Sequence, residues 1–502
     1  MKKTLILCFA PLLLALSPQA KAVDLLGVYQ DGLKNDPTYS AAKTTYLSAM
    51  QDVSINRAVL LPHLVFGQSG GGSGFINKTD GSGSLSGDNS SNSQHGYGFA
   101  LNLSQELFNF PDFVAFKEAK LSVKAAAATY YAAAQDLMVR VATIYFTILK
   151  DQDVVRYTEA NVESNKKSLD QATQQYNVGL KTLTDVYTSQ AAYSSAVSEH
   201  VAAKNILASD MEQLRVITGT VYDQYDRLRE DFPLASPSPN NIEDWVNVAV
   251  HHNWSLRSSI YTMQAAMEEI KVQWGGHLPT VTLDASYGNN IYHQVGEVDS
   301  MTGSDRTKTA AAAVNLSIPI FEGGSVTAHT KQAEYHYQTD VYNMEFQYRT
   351  VVSNTRQDYL SVLSGISAIN ADATSVKSNI NALKGLEAGY QVGTQTMVDV
   401  LNQQSLLFQA QQNYATDRYH YVINLVNLKS DTGTLSVDDL TAINDWLGQA
   451  PAVQAKAENQ SIHSLSPNYL SDISLKTEAS LGTLAPITEE KMTALIEEEG
   501  DL

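Results

Sequence analysis

One short motif occurs twice in this sequence and decides the fold. Residues 176–187 are YNVGLKTLTDVY, and residues 390–401 are YQVGTQTMVDVL, so the motif returns after 214 residues. Self-similarity at a fixed offset means that one structural unit is used more than once. We therefore expect two structural repeats, residues 23–241 and residues 242–449.

A very long helix is predicted before each copy of the motif. Residues from about 111 to 176, and from about 324 to 390, contain no proline in their interior. At about 1.5 Å per residue, each helix would reach on the order of 100 Å, several times the thickness of a membrane. The glycine of the motif would end the helix, because glycine adopts the left-handed conformation that a helix terminus requires.

A returning helix of about 35 residues is predicted after each motif, and a seven-residue grid runs along it. Such a grid predicts coiled-coil packing, and its small and polar residues favour a hollow assembly with one wet side over a dry seam. The grid positions are Val186, Gln190, Tyr193, Val197, Lys204, Leu207, Met211 and Leu214, then Val400, Gln404, Leu407, Gln411, Tyr414, Arg418, Tyr421, Leu425 and Leu428.

Each repeat is predicted to begin with a helix, residues 37–60 in the first and 242–275 in the second. Strands are predicted between this helix and the long helix. There the hydrophobic period changes to two, which is typical of strands. The Gly-, Ser- and Asn-rich residues 67–94 and the shorter stretch 288–308 predict exposed loops between paired strands. The alternating apolar residues are Leu64 and Phe66; Tyr97, Phe99, Leu101 and Leu103; Val281, Leu283, Ala285 and Tyr287; and Val314, Leu316, Ile318 and Ile320.

The two ends of the sequence differ from the repeats. Residues 1–22 predict a removed export signal, with two lysines, a short apolar run and a small-residue cleavage site. Cys8, the only cysteine, lies in that run, so no disulfide is expected in the mature chain. Removing the signal takes away three lysines and no acid, which changes the net charge from −19 to −22 and disfavours nucleic acid as a partner. Residues 450–502 predict an acidic, disordered tail.

The strands imply partners if they cross a membrane. After residue 22 no run approaches the roughly 18 apolar residues of a membrane helix, so strands would have to make the crossing. Strands cross hydrocarbon only as closed barrels, and the smallest such barrels have about eight strands. Four strands per chain would therefore be shared among several chains. A half-buried soluble sheet gives the same alternation, so the strands alone leave both interpretations open.

The order of helix, two strands, long helix, Val-Gly turn and returning helix, used twice, resembles the TolC family of outer-membrane efflux and secretion channels. The resemblance covers residues 24–449 and is most specific at residues 390–401. It implies a mainly α fold in a trimer: a twelve-stranded barrel in the outer membrane continues into a periplasmic barrel of twelve helices. A belt of mixed structure would be formed by residues 220–241 and 434–449.

The resemblance also implies partners and a tip. In this family the turns between paired helices form a periplasmic tip that docks with an adaptor protein, which joins the channel to an inner-membrane ABC or RND transporter. A glycine is needed at such a turn in any case. The residues at the tip positions are Val178, Gly179 and Leu180, with Val392, Gly393 and Thr394.

An entrance gate is implied just inside the tip. The family closes its entrance with acidic rings and with links between a tyrosine, an arginine and an aspartate. Here Tyr390, Thr184-Asp185 and Asp399 occupy matching positions, although isolated aspartates on a helix are usually only solvated. The expected arginine is Gln395 and the second acidic position is Asn402, so a neutral hydrogen bond would replace a charge-assisted one. We therefore expect a more easily opened, cation-favouring entrance.

Signals for catalysis are weak, and no enzyme activity, metal or cofactor is predicted. Residues 67–71 match a nucleophile-elbow string, but no helix follows the serine. His251-His252 has no acid or cysteine at ligand spacing.

The leading hypothesis is a passive exit path for small molecules or secreted proteins. The alternative is a periplasmic coiled-coil scaffold or adhesin without a pore.

Overall fold

The computed structural model describes residues 22–77, 90–296 and 303–448. The predicted signal, apart from residue 22, and the predicted acidic tail lie outside the described residues. The helices are α1 Leu25–Asn35, α2 Pro37–Val59, α3 Phe110–Asn177, α4 Leu183–Thr218, α5 Ile242–His252, α6 Trp254–Trp274, α7 Ser325–Gln391, α8 Met397–Asp431 and α9 Val437–Asn444. The strands are β1 His63–Asn77, β2 Ser90–Phe108, β3 Arg227–Leu228, β4 Thr280–Gly296, β5 Gly303–Ser317 and β6 Leu447–Gly448.

The long helices match the sequence prediction closely. α3 has 68 residues and α7 has 67, and at about 1.5 Å per residue each is about 100 Å long. The helix predicted over residues 242–275 is divided in two at Asn253. The side chain of Asn253 accepts a hydrogen bond from the Leu256 amide at 2.9 Å and so starts α6 as α5 ends.

Four strands form one antiparallel sheet in the order β1-β2-β4-β5. The pairing confirms the predicted alternation, because directly opposed residues share a face. One face carries most of the large apolar side chains, and the other carries small and polar ones joined by hydrogen bonds to Asp284 from Ser104 at 2.7 Å and Asn315 at 2.6 Å. The apolar face includes Leu64, Phe66, Leu101, Leu103, Tyr287 and Val314.

Two predictions about the strands are wrong. The stretches predicted as loops, residues 67–94 and 288–308, are strand wherever they are described, because β1 reaches Asn77, β2 begins at Ser90, β4 reaches Gly296 and β5 begins at Gly303. Residues 78–89 and 297–302 of these stretches lie outside the described residues. Glycine and serine have low strand propensity, but ladder hydrogen bonds to a partner offset that preference. Conversely, the apolar face predicted from Val314 to Ile320 ends early: β5 stops at Ser317, and Ile318 and Ile320 lie beyond it. Pro319 between them has no amide hydrogen to donate to a ladder.

The main hydrophobic core surrounds the middle of α3. Most residues from Leu137 to Leu149 are buried there against α1, α7 and the C-terminal half of α8. The segment between α4 and α5 and the chain around α9 cover this core, where β3 pairs with β6. Tyr145 fixes the covering segment by donating its hydroxyl toward the carbonyl oxygens of Val23 at 3.1 Å and Asp226 at 3.0 Å.

The predicted heptad grid is correct at most positions of α8 and at Leu214 near the end of α4, and it is out of phase in the first part of α4. On α8 its positions Val400, Gln404, Leu407, Arg418, Tyr421 and Leu428 are buried. On α4 the buried heptad is Ser189, Ala196 and Ala203, one residue before the predicted Gln190, Val197 and Lys204. The small side chains of this buried heptad allow α4 to lie close to its neighbours. In this part of α4, side-chain size rather than hydrophobicity therefore decides which residues are buried.

α3 contains a window that is long and apolar enough to cross a membrane by length and composition alone. The expectation that no run after residue 22 approaches a membrane helix is therefore wrong for α3 by this criterion. More than half of the window is buried within the chain, as in the core helix of a soluble protein.

Candidate entrance at the two helix turns

The α3–α4 and α7–α8 turns have the same backbone. At the first, the Leu180 amide donates to the Gln175 carbonyl at 2.9 Å and the Gly179 amide donates to the Tyr176 carbonyl at 2.9 Å. At the second, Thr394 donates to Gly389 at 2.9 Å and Gly393 to Tyr390 at 3.2 Å in the same pattern. This is a Schellman ending, which requires a left-handed residue. The glycines supply it, with φ values of 76° for Gly179 and 84° for Gly393.

Each returning helix begins with a capping box. The side chain of Thr182 accepts from the Asp185 amide at 3.3 Å, while Asp185 accepts from the Thr182 amide at 3.1 Å. Thr396 and Asp399 make the equivalent bonds at 3.2 and 3.0 Å. Each pair satisfies two backbone donors that a helix start leaves unpaired. The Thr396 hydroxyl and amide also hold the pKa of Asp399 below its ordinary value, because they stabilise the charged carboxylate.

The tip residues are exposed apolar side chains on a fixed backbone. Val178 is 70 % exposed, Leu180 is 73 % exposed and Val392 is 75 % exposed. Thr394 is also exposed. A surface of this kind is suited to contact with another protein, since single exposed apolar residues are common but several at one rigid end are less so.

Tyr390 is the centre of a small cluster that joins the two turns. It is 5 % exposed and packs with Ala172, Met397 and Val400. Its hydroxyl donates to Gln175 Oε1 on α3 at 2.9 Å, and Lys181 Nζ lies 4.2 Å from its ring centroid. Burial, and then the negative charge of Asp185, raise the pKa of Tyr390 above its ordinary value, so the phenol stays neutral and donates.

The remaining predicted gate residues lie around this cluster without forming the expected link. Gln395 is exposed and lies against Gly389, not in a hydrogen bond with Tyr390. Asn402 lines a groove of about 250 Å³ between α3, α4 and α8, together with Thr188 of α4. Thr184 is exposed, and its carbonyl accepts from the Thr188 hydroxyl at 2.9 Å.

Sequence reasoning missed four residues of this site. Gln175 and Lys181 were overlooked because their role depends on contact between the α3–α4 and α7–α8 hairpins, which no local pattern reveals. Thr182 and Thr396 were detectable, because a threonine three residues before an aspartate at a helix start is a capping signature. The aspartates were expected to act as charged rings, and within one chain both are also helix caps.

The residues considered as signals for catalysis lie within ordinary secondary structure. Ser69 lies inside β1 and not at a strand-to-helix turn. His251 Nδ1 lies 2.8 Å from the Asn247 carbonyl one turn earlier on α5. Within residues 22–77, 90–296 and 303–448, no group of three or more His, Cys, Asp or Glu side chains is placed to hold a metal ion.

Taken together, a sheet with one exposed apolar face and helices about 100 Å long that end in rigid turns define the class: a subunit of a membrane-anchored export channel. Comparison with known proteins identifies the family. The pattern of the outer membrane efflux protein family matches residues 28–220 and 245–434. This chain belongs to the outer membrane efflux protein family. Its two matched segments agree with the internal repeat.

Individual relatives agree with this assignment. The chain is 32 % identical to outer membrane protein TolC of Escherichia coli (strain K12), over 94 % of each chain. It is 26 % identical to the alkaline protease secretion protein AprF of Pseudomonas aeruginosa, over 90 % of this chain and 93 % of that one. The fold matches the outer membrane protein VceC of Vibrio cholerae with a TM-score of 0.67 at 18 % identity, over 82 % of this chain and 96 % of that one. The predictions of an outer-membrane location and of an export channel are thereby confirmed.

Proposed function

We propose that three copies of this chain form one passive channel, with a shared barrel of twelve strands in the outer membrane and a barrel of twelve helices in the periplasm. The observation that carries the proposal is the sheet. It has four strands, and within the described residues its edge strands β1 and β5 have no second neighbour. A transmembrane sheet must close, because an open edge leaves backbone groups unpaired in hydrocarbon.

The helices support the same closure. Below the sheet α2 packs on α3, α3 on α6, and α6 on α7, so α2 and α7 are the outer members of the layer. Both present large apolar side chains to the exterior of the single chain, and contact between α7 of one copy and α2 of the next would cover them. These exposed residues are Leu47, Met50, Ile55 and Val59 on α2, and Tyr335, Tyr342 and Phe346 on α7.

Cross-linking tests the number of copies. The predicted mature chain has no cysteine, so a variant with one cysteine on β1 and one on β5 can link only through introduced residues. A scan of positions is expected to include pairs that oxidise to a closed ring of three chains on a denaturing gel. Reconstituted wild-type protein should also conduct in planar bilayers. Ladders longer than three chains would contradict the trimer, and absence of conductance would favour the scaffold or adhesin.

The tip is proposed as the docking site for a periplasmic adaptor that brings cargo from an inner-membrane ABC or RND transporter. The exposure of Val178, Leu180 and Val392 on two rigid turns supports this role. Both small-molecule efflux and type I secretion fit a passive conduit, since the relatives include a protease secretion protein. The channel itself would bind no cofactor and catalyse no reaction.

Polar substitution separates docking from conduction. Leu180→Ser with Val392→Ser is expected to leave bilayer conductance close to wild type and to abolish export from cells, because only the contact surface changes. Val201→Ser is the matched control: Val201 is also well exposed but lies on α4, away from the turns. Normal export by the tip variant would contradict adaptor docking here.

The predicted gate residues are proposed to constrict the entrance inside the tip. Asp185 and Asp399, repeated by symmetry around one axis, would favour cations over anions. Neutralising both should reduce the cation preference, measured as a reversal potential across a salt gradient. An unchanged potential would place the rings away from the conducting path.

A further inference from the structure

The α3–α4 turn carries a cation that reaches across to the α7–α8 hairpin. Lys181 Nζ lies 4.2 Å from the centroid of the Tyr390 ring. An ammonium within about 6 Å of a ring centroid is attracted by the negative face of the ring. Lys181 follows the end of α3 and Tyr390 lies in the last turn of α7, so this contact ties two separate hairpins together.

The limited exposure of Lys181 agrees with a specific contact between its ammonium group and the Tyr390 ring. The three residues before it, 178–180, are all exposed, whereas Lys181 is only partly exposed. A free lysine at such a turn would extend into water, because its long side chain loses rotamer freedom when it is fixed. Within the part of the chain described by the structure, the Lys181 ammonium makes no ion pair with a carboxylate. The aromatic ring is therefore its evident partner.

The ring is held in place for this contact. Tyr390 is buried against Ala172 and Met397, and its hydroxyl donates to Gln175 Oε1 at 2.9 Å. One edge of the ring is thus bonded to α3, while one face is open to Lys181. The position that corresponds to Lys181 in the second turn is Gln395, which is neutral and lies against Gly389.

We infer that Lys181, acting through the Tyr390 ring and supported by Gln175, is a gating clamp that holds the two hairpins of each chain together in the closed entrance. The inference rests on the proposed channel function and extends it. Gln395 leaves the second turn without a cation, and Lys181 supplies one from the first turn. Opening the entrance by separating the hairpins would break the contact in every copy.

Conductance of the full mature chain in planar bilayers tests the clamp. Lys181→Met keeps the length of the side chain and removes the charge, and it should raise the ratio of open to closed channel by about twofold to fivefold per chain. Lys181→Arg should keep the wild-type ratio, because a guanidinium also binds the face of a ring. Lys167→Met is the matched control for lost charge, since Lys167 is an exposed residue of the same hairpin that pairs with Glu163.

A double-mutant cycle separates the clamp from a general charge effect. If the ring is the partner, Lys181→Met should have no further effect in the Tyr390→Leu background. If Lys181 acts only through its charge, the two effects should add and Lys167→Met should resemble Lys181→Met. Either of these last results overturns the clamp.

A distance measurement keeps the inference testable without conduction. Spin labels at Val178→Cys and Val392→Cys, both at exposed positions, report the separation of the two turns in labelled chains diluted with unlabelled ones. Lys181→Met should broaden the distribution toward longer distances, and Lys181→Arg should not. An unchanged distribution overturns the clamp even if wild-type channels conduct. Absence of wild-type conductance with the expected distances would refute only the proposed channel function.

Discussion

The two helix turns share one backbone and differ in what covers their side chains. Both have a Schellman glycine, Gly179 or Gly393, and both continue into a capping box. At the second turn Met397 is 2 % exposed, whereas Leu183, its counterpart in the first turn, is 45 % exposed. Tyr390 is similarly buried, while its counterpart Tyr176 is exposed.

This difference shows which part of the site is local and which is tertiary. Hydrogen bonds between residues close in sequence fix the backbone of both turns, so the motif produces the same shape twice. Burial depends on a neighbour, and the second turn has Ala172 of α3 beside it. Within one chain the first turn has no equivalent cover, which supports a role for its apolar side chains in contacts with another copy or an adaptor.

Truncating the two counterpart side chains should have very unequal effects. Met397→Ala is expected to lower the local free energy of opening at the second turn by about 2–5 kcal/mol, because it leaves a cavity. Leu183→Ala should change the first turn by less than about 1 kcal/mol, since its side chain is already partly solvated. Native-state hydrogen exchange of the first α4 and α8 amides measures both. Equal effects would mean that the assembled channel buries the first turn as deeply as the second.

Substituting the glycines should instead affect the two turns alike. Gly179→Ala and Gly393→Ala each place a Cβ in the left-handed conformation, which costs about 1–2 kcal/mol. Gly385→Ala is the control: Gly385 lies inside α7 with open space around it, and alanine there should stabilise by about 0.5–1 kcal/mol. The same exchange experiment gives all three values. A marked difference between the two turns would contradict a shared backbone requirement.

The extent of successful sequence prediction follows the same division. The long helices, the four strands and the two glycine turns were predictable, because each depends on periodicity or on one conformational requirement. The phase of the α4 seam was not, since Ser189, Ala196 and Ala203 are buried for their small size. The contact of Lys181 with Tyr390 was not predictable either, because it crosses between repeats.

Giving the second turn a cation would reduce the difference between the turns. Gln395→Arg restores the charge that the family resemblance implies, and the link to Tyr390 and Asp185 that the resemblance implies for this guanidinium should stabilise the closed entrance. We expect ion conductance in bilayers to fall by about twofold to fivefold, the range of one exposed cation–π or charge-assisted contact. Gln395→Met is the neutral control. Unchanged conductance in Gln395→Arg would show that this position does not contribute to gating.

Acid should weaken the cap of the second turn, with the smallest effect of the series. The hydrogen bonds from Thr396 lower the pKa of Asp399 from its ordinary value of 3.8. The ionised carboxylate therefore stabilises the folded turn when the pH is above 3.8. That stabilisation is lost as the pH falls below 3.8 and through the lower pKa of the folded state. In Asp399→Asn, the amides at the start of α8 should therefore exchange hydrogen faster than in wild type at pH 7. At pH 3 the two exchange rates should be similar. Thr396→Ala, which removes the hydroxyl donor, should reduce the pH dependence of exchange in the same way. If Asp399→Asn and wild type still differ in exchange rate at pH 3, the carboxylate charge is not what stabilises the cap.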